Sequence, residues 1–286
     1  MSPWITSDVI KALQARVALY MGDYKEALRR SEEIINSKRY MLVNSKEYLQ
    51  GFWMYDKHGP AAEAIWVITM TVDYLGLATG SYYLANTGSN MAFIPTQGTI
   101  SLFDETDIRK SVYFSDRTVK VSGTGNTTIK AFAKYPGNPY LYYQTNINNF
   151  VNMPKPFRIA EQYLIAAEAA AMLGNNTKAN SHLNSLRGSR NPNSASFPSL
   201  VGDALMQAIK LERHKELLGE GFRMSDLKRW KEGFKRSPAQ NYSIINQNAD
   251  VHLLSYPADD HRLVWPIPQG EIDVNPQIKN QQNPYY

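Results

Sequence analysis

Apolar residues at 7–39 recur every three or four positions, the spacing that lines one face of an α-helix. Ile10, Leu13, Val17 and Tyr20 form a first stripe, and Tyr24, Ala27, Leu28, Ile34 and Ile35 a second. Gly22-Asp23 interrupts them, so this stretch predicts a helical hairpin. Thr6 or Ser7 is its N-cap, with Asp8 in the first turn. Small residues at Ala12, Ala15 and Ala18 let a partner helix come close. The same regime returns at 158–187, where a helix rich in Ala, Leu and Glu meets Gly174-Asn175-Asn176 and a second helix follows. A long helix is predicted from about 203 to 218, closed by Gly219 and Gly221, then a short one over 225–230 capped by Ser225.

Between the hairpins, 40–157 follows a different pattern, with short apolar runs among Gly, Asn, Thr and Pro. Ile65-Trp66-Val67-Ile68 reads as a strand, and 118–132 as a β-hairpin turning at Gly123-Thr124-Gly125-Asn126. Irregular insertions between packed helices commonly carry binding residues. From 238 onward Pro, Asn and Gln dominate, which predicts an extended tail anchored at Leu263-Val264-Trp265.

The two hairpins align through their glycines. Ala15 matches Ala167, Gly22 matches Gly174 and Ala27 matches Ala179, a small–glycine–small spacing that resembles tetratricopeptide (TPR) repeats. Ala18 and Ala170 stand where such repeats carry a large aromatic, and a long segment separates the two units. The fold class expected is mostly α: TPR-like helical hairpins with an irregular loop and short-strand insertion.

Composition narrows the function classes. A net charge of +5 from 31 basic and 26 acidic residues, with no polybasic arm, argues against nucleic acid as a partner. With no cysteine, disulfides, thiolate catalysis and cysteine-ligated metals are excluded. Met1-Ser2-Pro3-Trp4 has neither the basic nor the apolar region of a signal peptide. No apolar run approaches the roughly 20 residues that cross a bilayer. Aromatics are abundant, at 12% of the chain with 18 Tyr, and amphipathic rings serve both cores and contact surfaces.

Three motifs in order carry a family resemblance. The first is Arg158-Ile159-Ala160-Glu161-Gln162-Tyr163-Leu164 with Ala167-Glu168-Ala169, followed by Leu183-Asn184-Ser185-Leu186-Arg187. The second is Glu212-Arg213-His214-Lys215-Glu216-Leu217, Glu220-Gly221-Phe222-Arg223 and Asp226-Leu227-Lys228-Arg229-Trp230. The third is Pro266-Ile267-Pro268 with Glu271, then Asn275-Pro276 and Gln282-Asn283-Pro284-Tyr285-Tyr286. Asp107-Ile108-Arg109-Lys110 and Lys134-Tyr135 are lesser matches. Together they resemble the SusD/RagB family, with Tyr285 in place of that family's usual Gly.

The resemblance implies a SusD-like α/α superhelix over 1–286: a TPR-like hairpin at 7–39, a variable insertion at 40–157, a second hairpin at 158–187, and a C-terminal helix and tail at 203–286. Family members are longer and begin with a lipoprotein signal and an anchoring Cys, so this chain is expected to be their C-terminal portion. The resemblance further implies a glycan-capturing protein on the extracellular face of the outer membrane of a Bacteroidetes-type bacterium. Its expected partners are an oligosaccharide or polysaccharide and a SusC-like TonB-dependent outer-membrane transporter.

Candidate chemistry lies in two places. Glu212, Glu216 and Glu220 are spaced by four, and paired carboxylates are the tools of glycosidases. Residues stacked along one helix face cannot easily straddle a sugar, so these are expected to pair with Arg213, Arg223 and Arg229 instead. His58, His182, His214, His252 and His261 show no metal-ligand spacing, and no cofactor motif is present. Sugars, by contrast, offer C–H faces to rings and hydroxyls to amides. That combination occurs at Tyr74, Tyr82, Tyr83, Asn90 and Phe93, with Trp53 beside Tyr55 as a second group. These six residues are the expected ligand contacts. Tyr140-Leu141-Tyr142-Tyr143-Gln144 is a further candidate run for sugar contact, in which strand alternation would put Tyr140 and Tyr142 on one face and Tyr143 on the other. A TPR-like protein-interaction scaffold and a glycoside hydrolase are the alternative readings.

Overall fold

The structure, a computed structural model, describes residues 4–55, 63–76, 78–84, 92–121, 125–142, 147–194, 196–244 and 255–284. Helices α1 (Ser7–Met21) and α2 (Tyr24–Asn36) come first. The insertion follows with α3 (Lys46–Tyr55), β1 (Ala64–Trp66), α4 (Ser81–Leu84), α5 (Gln97–Ser101), α6 (Ile108–Tyr113), β2 (Phe114–Val121), β3 (Gly125–Phe132) and β4 (Phe157–Arg158). Then come α7 (Ile159–Met172), α8 (Asn176–Arg190), α9 (Gly202–Glu216) and α10 (Arg223–Trp230). The tail holds β5 (Phe234–Lys235), β6 (Ser255–Tyr256) and α11 (Gln269–Val274).

Each hairpin turns by the same local chemistry. Gly22 at φ 79° and Gly174 at φ 78° take the left-handed conformation that ends a helix and that glycine adopts without a Cβ penalty. The next side chain then caps the following helix. Asp23 accepts from the Glu26 N–H and Asn175 from the Lys178 N–H, both at 3.0 Å.

Although the insertion separates them in sequence, the hairpins are neighbours in space. Ala15, Ala18 and Ala27 share one buried cluster with Ile165 and Ala169, and α2 lies along α7. On the other side, Ala167, Ala170, Ala179 and Leu183 meet Leu205 and Ile209 of α9. Helix α7 is therefore covered on nearly every face, which its high alanine content permits. Helix α1 corrects the expected stripe. Val9, Ala12, Ala15, Ala18 and Leu19 are buried, while Ile10, Leu13, Val17 and Tyr20 lie outward. Small side chains let α2 and α7 close in on the alanine side, leaving the larger apolar residues at the surface.

The insertion has its own core, built on Leu49, Phe52, Trp53, Phe103, Tyr113 and Phe132. Its ends are clamped where β1 pairs antiparallel with β4 and Ile159 N–H donates to the Glu63 carbonyl at 2.7 Å. The β2–β3 hairpin begins at Phe114, earlier than its sequence signal, because Phe114 pairs with Phe132 at the base. Tyr140 and Leu141 lie in a 3-10 turn, not a strand, with Leu141 buried and Tyr140 exposed.

The tail is less extended than expected. Besides α11 it contains 3-10 turns at Tyr242–Ile244, His261–Leu263 and Pro276–Gln281. Leu263 is buried, but Val264 and Trp265 are exposed. The Gln282 side-chain amide donates to the Ile267 carbonyl at 3.0 Å and accepts from its N–H at 2.8 Å. That pairing explains why the Pro-Ile-Pro and Gln-Asn-Pro elements occur together.

Candidate functional site

The carboxylates that suggested catalysis lie in a closed ionic core. Glu212 and Glu216 leave α9 one turn apart, and both are buried. Glu216 accepts from Arg158 at 2.5 Å, from Arg109 at 2.8 Å and from Arg190 at 2.8 and 3.0 Å. Glu212 faces the Arg109 guanidinium at 2.7 Å, off the axis of a hydrogen bond. Glu220, beyond the helix end, accepts from Arg158 at 2.7 and 2.9 Å and from Lys134 Nζ at 2.6 Å. Glu63 joins through Arg190 at 2.7 Å.

The expected partners are thus corrected. The arginines that answer these glutamates come from the insertion, from β4 and from α8. Arg213 instead donates to Asp226 at 2.7 Å, and Arg229 clasps Glu168 and Asp226. Trp230 Nε1 also donates to Glu168 at 2.9 Å, so the second motif grips the first. Neighbouring charges on one helix project along one face, and their countercharges must come from whatever packs against it.

Burial alone would raise the Glu216 carboxyl, but Arg190, Arg158 and Arg109 outweigh it and hold it well below the ordinary range. Burial likewise opposes ionisation of Glu220, and Arg158 and Lys134 overcome it. Burial lowers the Lys134 ammonium to about 8. A glycosidase acid must be protonated and reach a leaving oxygen across a cleft. Glu216 and Glu220 are held in the charged form, enclosed and bonded to arginines, so neither is placed to donate a proton to a leaving oxygen.

The candidate rings lie elsewhere. Tyr82 sits on α4, a short helix where a loop was expected, and is 42% exposed. Phe93 is 60% exposed and approaches Tyr82 at 6.3 Å and Tyr83 at 6.0 Å between ring centroids. The Ala92 and Phe93 N–H groups both donate to the Tyr82 carbonyl, tying the two segments together. Tyr83 is half-buried and meets Phe132 edge-on at 5.0 Å. Tyr74, 82% exposed, closes a tight turn against Thr71, and among the described residues no ring contact joins it to this cluster. Trp53, the other candidate ligand contact, lies in the core of the insertion. It is 3% exposed, packed edge-on against Phe52, Tyr113 and Tyr135, because α3 turns this face into the insertion core. Asn90 lies outside the described residues.

Tyr135, not among the contacts expected from sequence, joins this run of rings. Its ring is 6.5 Å from Tyr83 and 5.6 Å from Trp53, and its hydroxyl donates to the Gly219 carbonyl at 3.0 Å. It lines a cavity of about 280 Å³ between the helical scaffold and the insertion, together with Arg16, Trp53, Thr79, Glu220 and Phe222. The one signal in the sequence was the Lys134-Tyr135 pair. Among the described residues, no group of His, Cys, Asp and Glu could hold a metal ion.

Comparison with known proteins agrees with this architecture. The SusD family model matches residues 105–286. A putative sugar binding protein from Bacteroides vulgatus superposes with a TM-score of 0.75 at 28% identity, over 100% of this chain and 62% of its own. A SusD superfamily protein from Bacteroides thetaiotaomicron gives 0.76 at 26% identity, over 98% of this chain and 61% of its own. Surface glycan-binding protein A from Bacteroides uniformis shares the fold, with a TM-score of 0.69 at 24% identity over 99% of this chain and 62% of that one. The chain thus spans about three fifths of the length of these solved structures. Comparison with curated proteins gave no match. With the family model covering more than half of its residues, the chain belongs to the SusD family.

Proposed function

We propose that this chain captures an oligosaccharide or polysaccharide at the bacterial cell surface without cleaving it. One observation carries the reading: Tyr82 and Phe93 hold open ring faces on the insertion, while the carboxylates that could have cleaved a glycosidic bond are locked in ion pairs. Rings of this kind stack on the C–H faces of sugars at little entropic cost, since each has two side-chain torsions. Tyr83 borders the same cluster, and Tyr74 stands exposed on a separate turn. Two similar structures are named as a sugar binding protein and a surface glycan-binding protein, which supports the reading. Membership of the SusD family adds the expected setting: a lipid-anchored protein on the extracellular side of the outer membrane, delivering glycan to a SusC-like TonB-dependent transporter.

Affinity electrophoresis against a panel of polysaccharides tests it. One polymer should retard the protein without release of reducing ends, and Tyr82→Ala with Phe93→Ala should weaken retention about tenfold or more. Reducing ends accumulating over time would reverse the assignment to a hydrolase. A second reading, a scaffold for protein contacts, is favoured by the outward stripe Ile10, Leu13 and Val17 on α1. Absence of any glycan retention together with co-purification of a β-barrel would select it.

A further inference from the structure

Phe93 is held from two sides, and the second hold comes from far along the chain. On the near side its N–H and that of Ala92 donate to the Tyr82 carbonyl at 3.1 and 3.0 Å. On the far side the stretch 95–98 lies against 237–240 of the tail. Ser237 Oγ donates to Thr96 Oγ1 at 2.5 Å and accepts from the Gly98 N–H at 3.2 Å. The Gln97 N–H donates to the Pro238 carbonyl at 3.2 Å. A Cβ added at Gly98 would stand 2.5 Å from Ser237 Oγ, so the two segments are in close contact.

Gln240 completes the junction. Its Oε1 accepts from the Lys130 N–H at 2.9 Å and its Nε2 donates to the Lys130 carbonyl at 2.8 Å. The side chain thus pairs with the outer edge of β3 as a further strand would, while β2 pairs with the other edge. Nε2 also donates to the Pro95 carbonyl at 2.7 Å, across 145 positions of chain. One amide therefore ties a paired strand to the backbone two residues beyond Phe93. Only Asn and Gln carry two N–H donors and an acceptor on one amide, and Asn is a methylene shorter. A ring on a fixed backbone gives up little freedom when a ligand settles on it, whereas a loose one must be ordered first.

We infer that Gln240 is a positioning residue for the ring site: through the Pro95 carbonyl it holds the Phe93 ring beside Tyr82 in the arrangement a glycan meets. It acts through Phe93 and makes no ligand contact of its own. The inference rests on the capture reading and extends it to the tail, whose junction with the insertion sets how the rings are presented.

The full chain is labelled with para-fluorophenylalanine in place of Phe93 and followed by fluorine NMR. Retention is read by affinity electrophoresis in gels holding soluble starch, xylan, galactomannan or pectin. Gln240→Ala should move the fluorine resonance toward that of the free amino acid, with helical circular dichroism unchanged. It should also weaken retention by whichever polymer holds the unaltered protein, about threefold to tenfold. Gln240→Glu keeps the length and the acceptor for the Lys130 N–H but turns an oxygen toward the Pro95 carbonyl, so it should match Gln240→Ala. Asn241→Ala releases the neighbouring contact to Thr127 and should change neither readout. Should Gln240→Ala unfold the chain, Ser237→Ala loosens the same stretch and should give a smaller shift in the same direction. An unchanged fluorine signal in either Gln240 variant overturns the inference, as does an equal change in Asn241→Ala. A moved signal with unchanged retention overturns it too, and leaves the capture reading standing. A moved signal in a chain that none of the four polymers retains upholds the placement of Phe93 by Gln240 and removes the capture reading for those polymers.

Discussion

The ionic core around Glu216 and the ring cluster around Tyr82 sit in the same molecule and use opposite chemistry. In the core, Glu63, Asp107, Glu212, Glu216 and Glu220 are each met by Arg or Lys side chains within ion-pair distance. In the cluster charge is sparse and the rings of Tyr82 and Phe93 are partly exposed among the described residues. A dense group of catalytic-looking residues can therefore be fully engaged inside a fold, while rings in a charge-poor insertion stand half-open to solvent. The difference lies in whether the fold completes each group's interactions or leaves them incomplete.

That contrast can be broken first at Glu216. Glu216→Ala leaves Arg109, Arg158 and Arg190 buried without their shared carboxylate and should cost about 3–5 kcal/mol of stability, measured by urea denaturation. A loss within 1 kcal/mol would mean the core is hydrated and not structural. Acid provides a second probe. Unfolded His214 titrates at 6.5 but burial holds it down to about 4 in the fold, so the unfolded chain takes the proton first. Stability should therefore decline as pH falls below about 6.5. The Glu216, Glu220 and Glu168 carboxyls are lowered from 4.5, so their contribution is fully present above that value and lost as pH falls through their folded range. Circular dichroism during acid titration should show a shallow phase followed by a steeper one, and His214→Gln should abolish only the first.

A smaller effect is expected at the hairpin turns. Gly22→Ala and Gly174→Ala meet open space but force a Cβ into the left-handed region, costing about 1–2 kcal/mol each by thermal unfolding. Equal costs at the two sites would confirm that the turns act locally, whatever surrounds each hairpin. Smallest of all, Tyr82→Ala and Phe93→Ala should change stability by no more than about 0.5 kcal/mol while glycan retention drops. A large stability loss would show these rings to be core and remove the contrast.

Much of the helical architecture could be read from local pattern. Gly22-Asp23 and Gly174-Asn175 signal a left-handed cap followed by a capping side chain, and both features depend only on neighbouring residues. The buried identity of Ala15, Ala27, Ala167 and Ala179 followed from small-residue spacing. Choosing the inward face of α1 was beyond that pattern, since Val9 and Ala12 compete with Ile10 and Leu13 and the winner depends on how close α2 and α7 can come. Tyr82, Tyr83 and Phe93 were legible as a group because they are near in sequence. Trp53 resembled them in composition, yet its burial depends on α3 packing against Tyr113 and Tyr135, which are distant along the chain.

Short-range pattern placed the start of α10 at Ser225, whereas the helix begins at Arg223, but it specified the two hairpins with their glycine turns, the long helix α9, the motif order that marks the family and a ring-rich insertion. Those are properties of residues a few positions apart, where backbone geometry links them directly. Arg109, Arg158 and Arg190 converge on Glu216, and Tyr135 and Thr79 share a cavity wall with Trp53, only through packing of the folded chain. Those contacts join segments dozens of residues apart, and short-range spacing carries no information about which distant surfaces will close on one another.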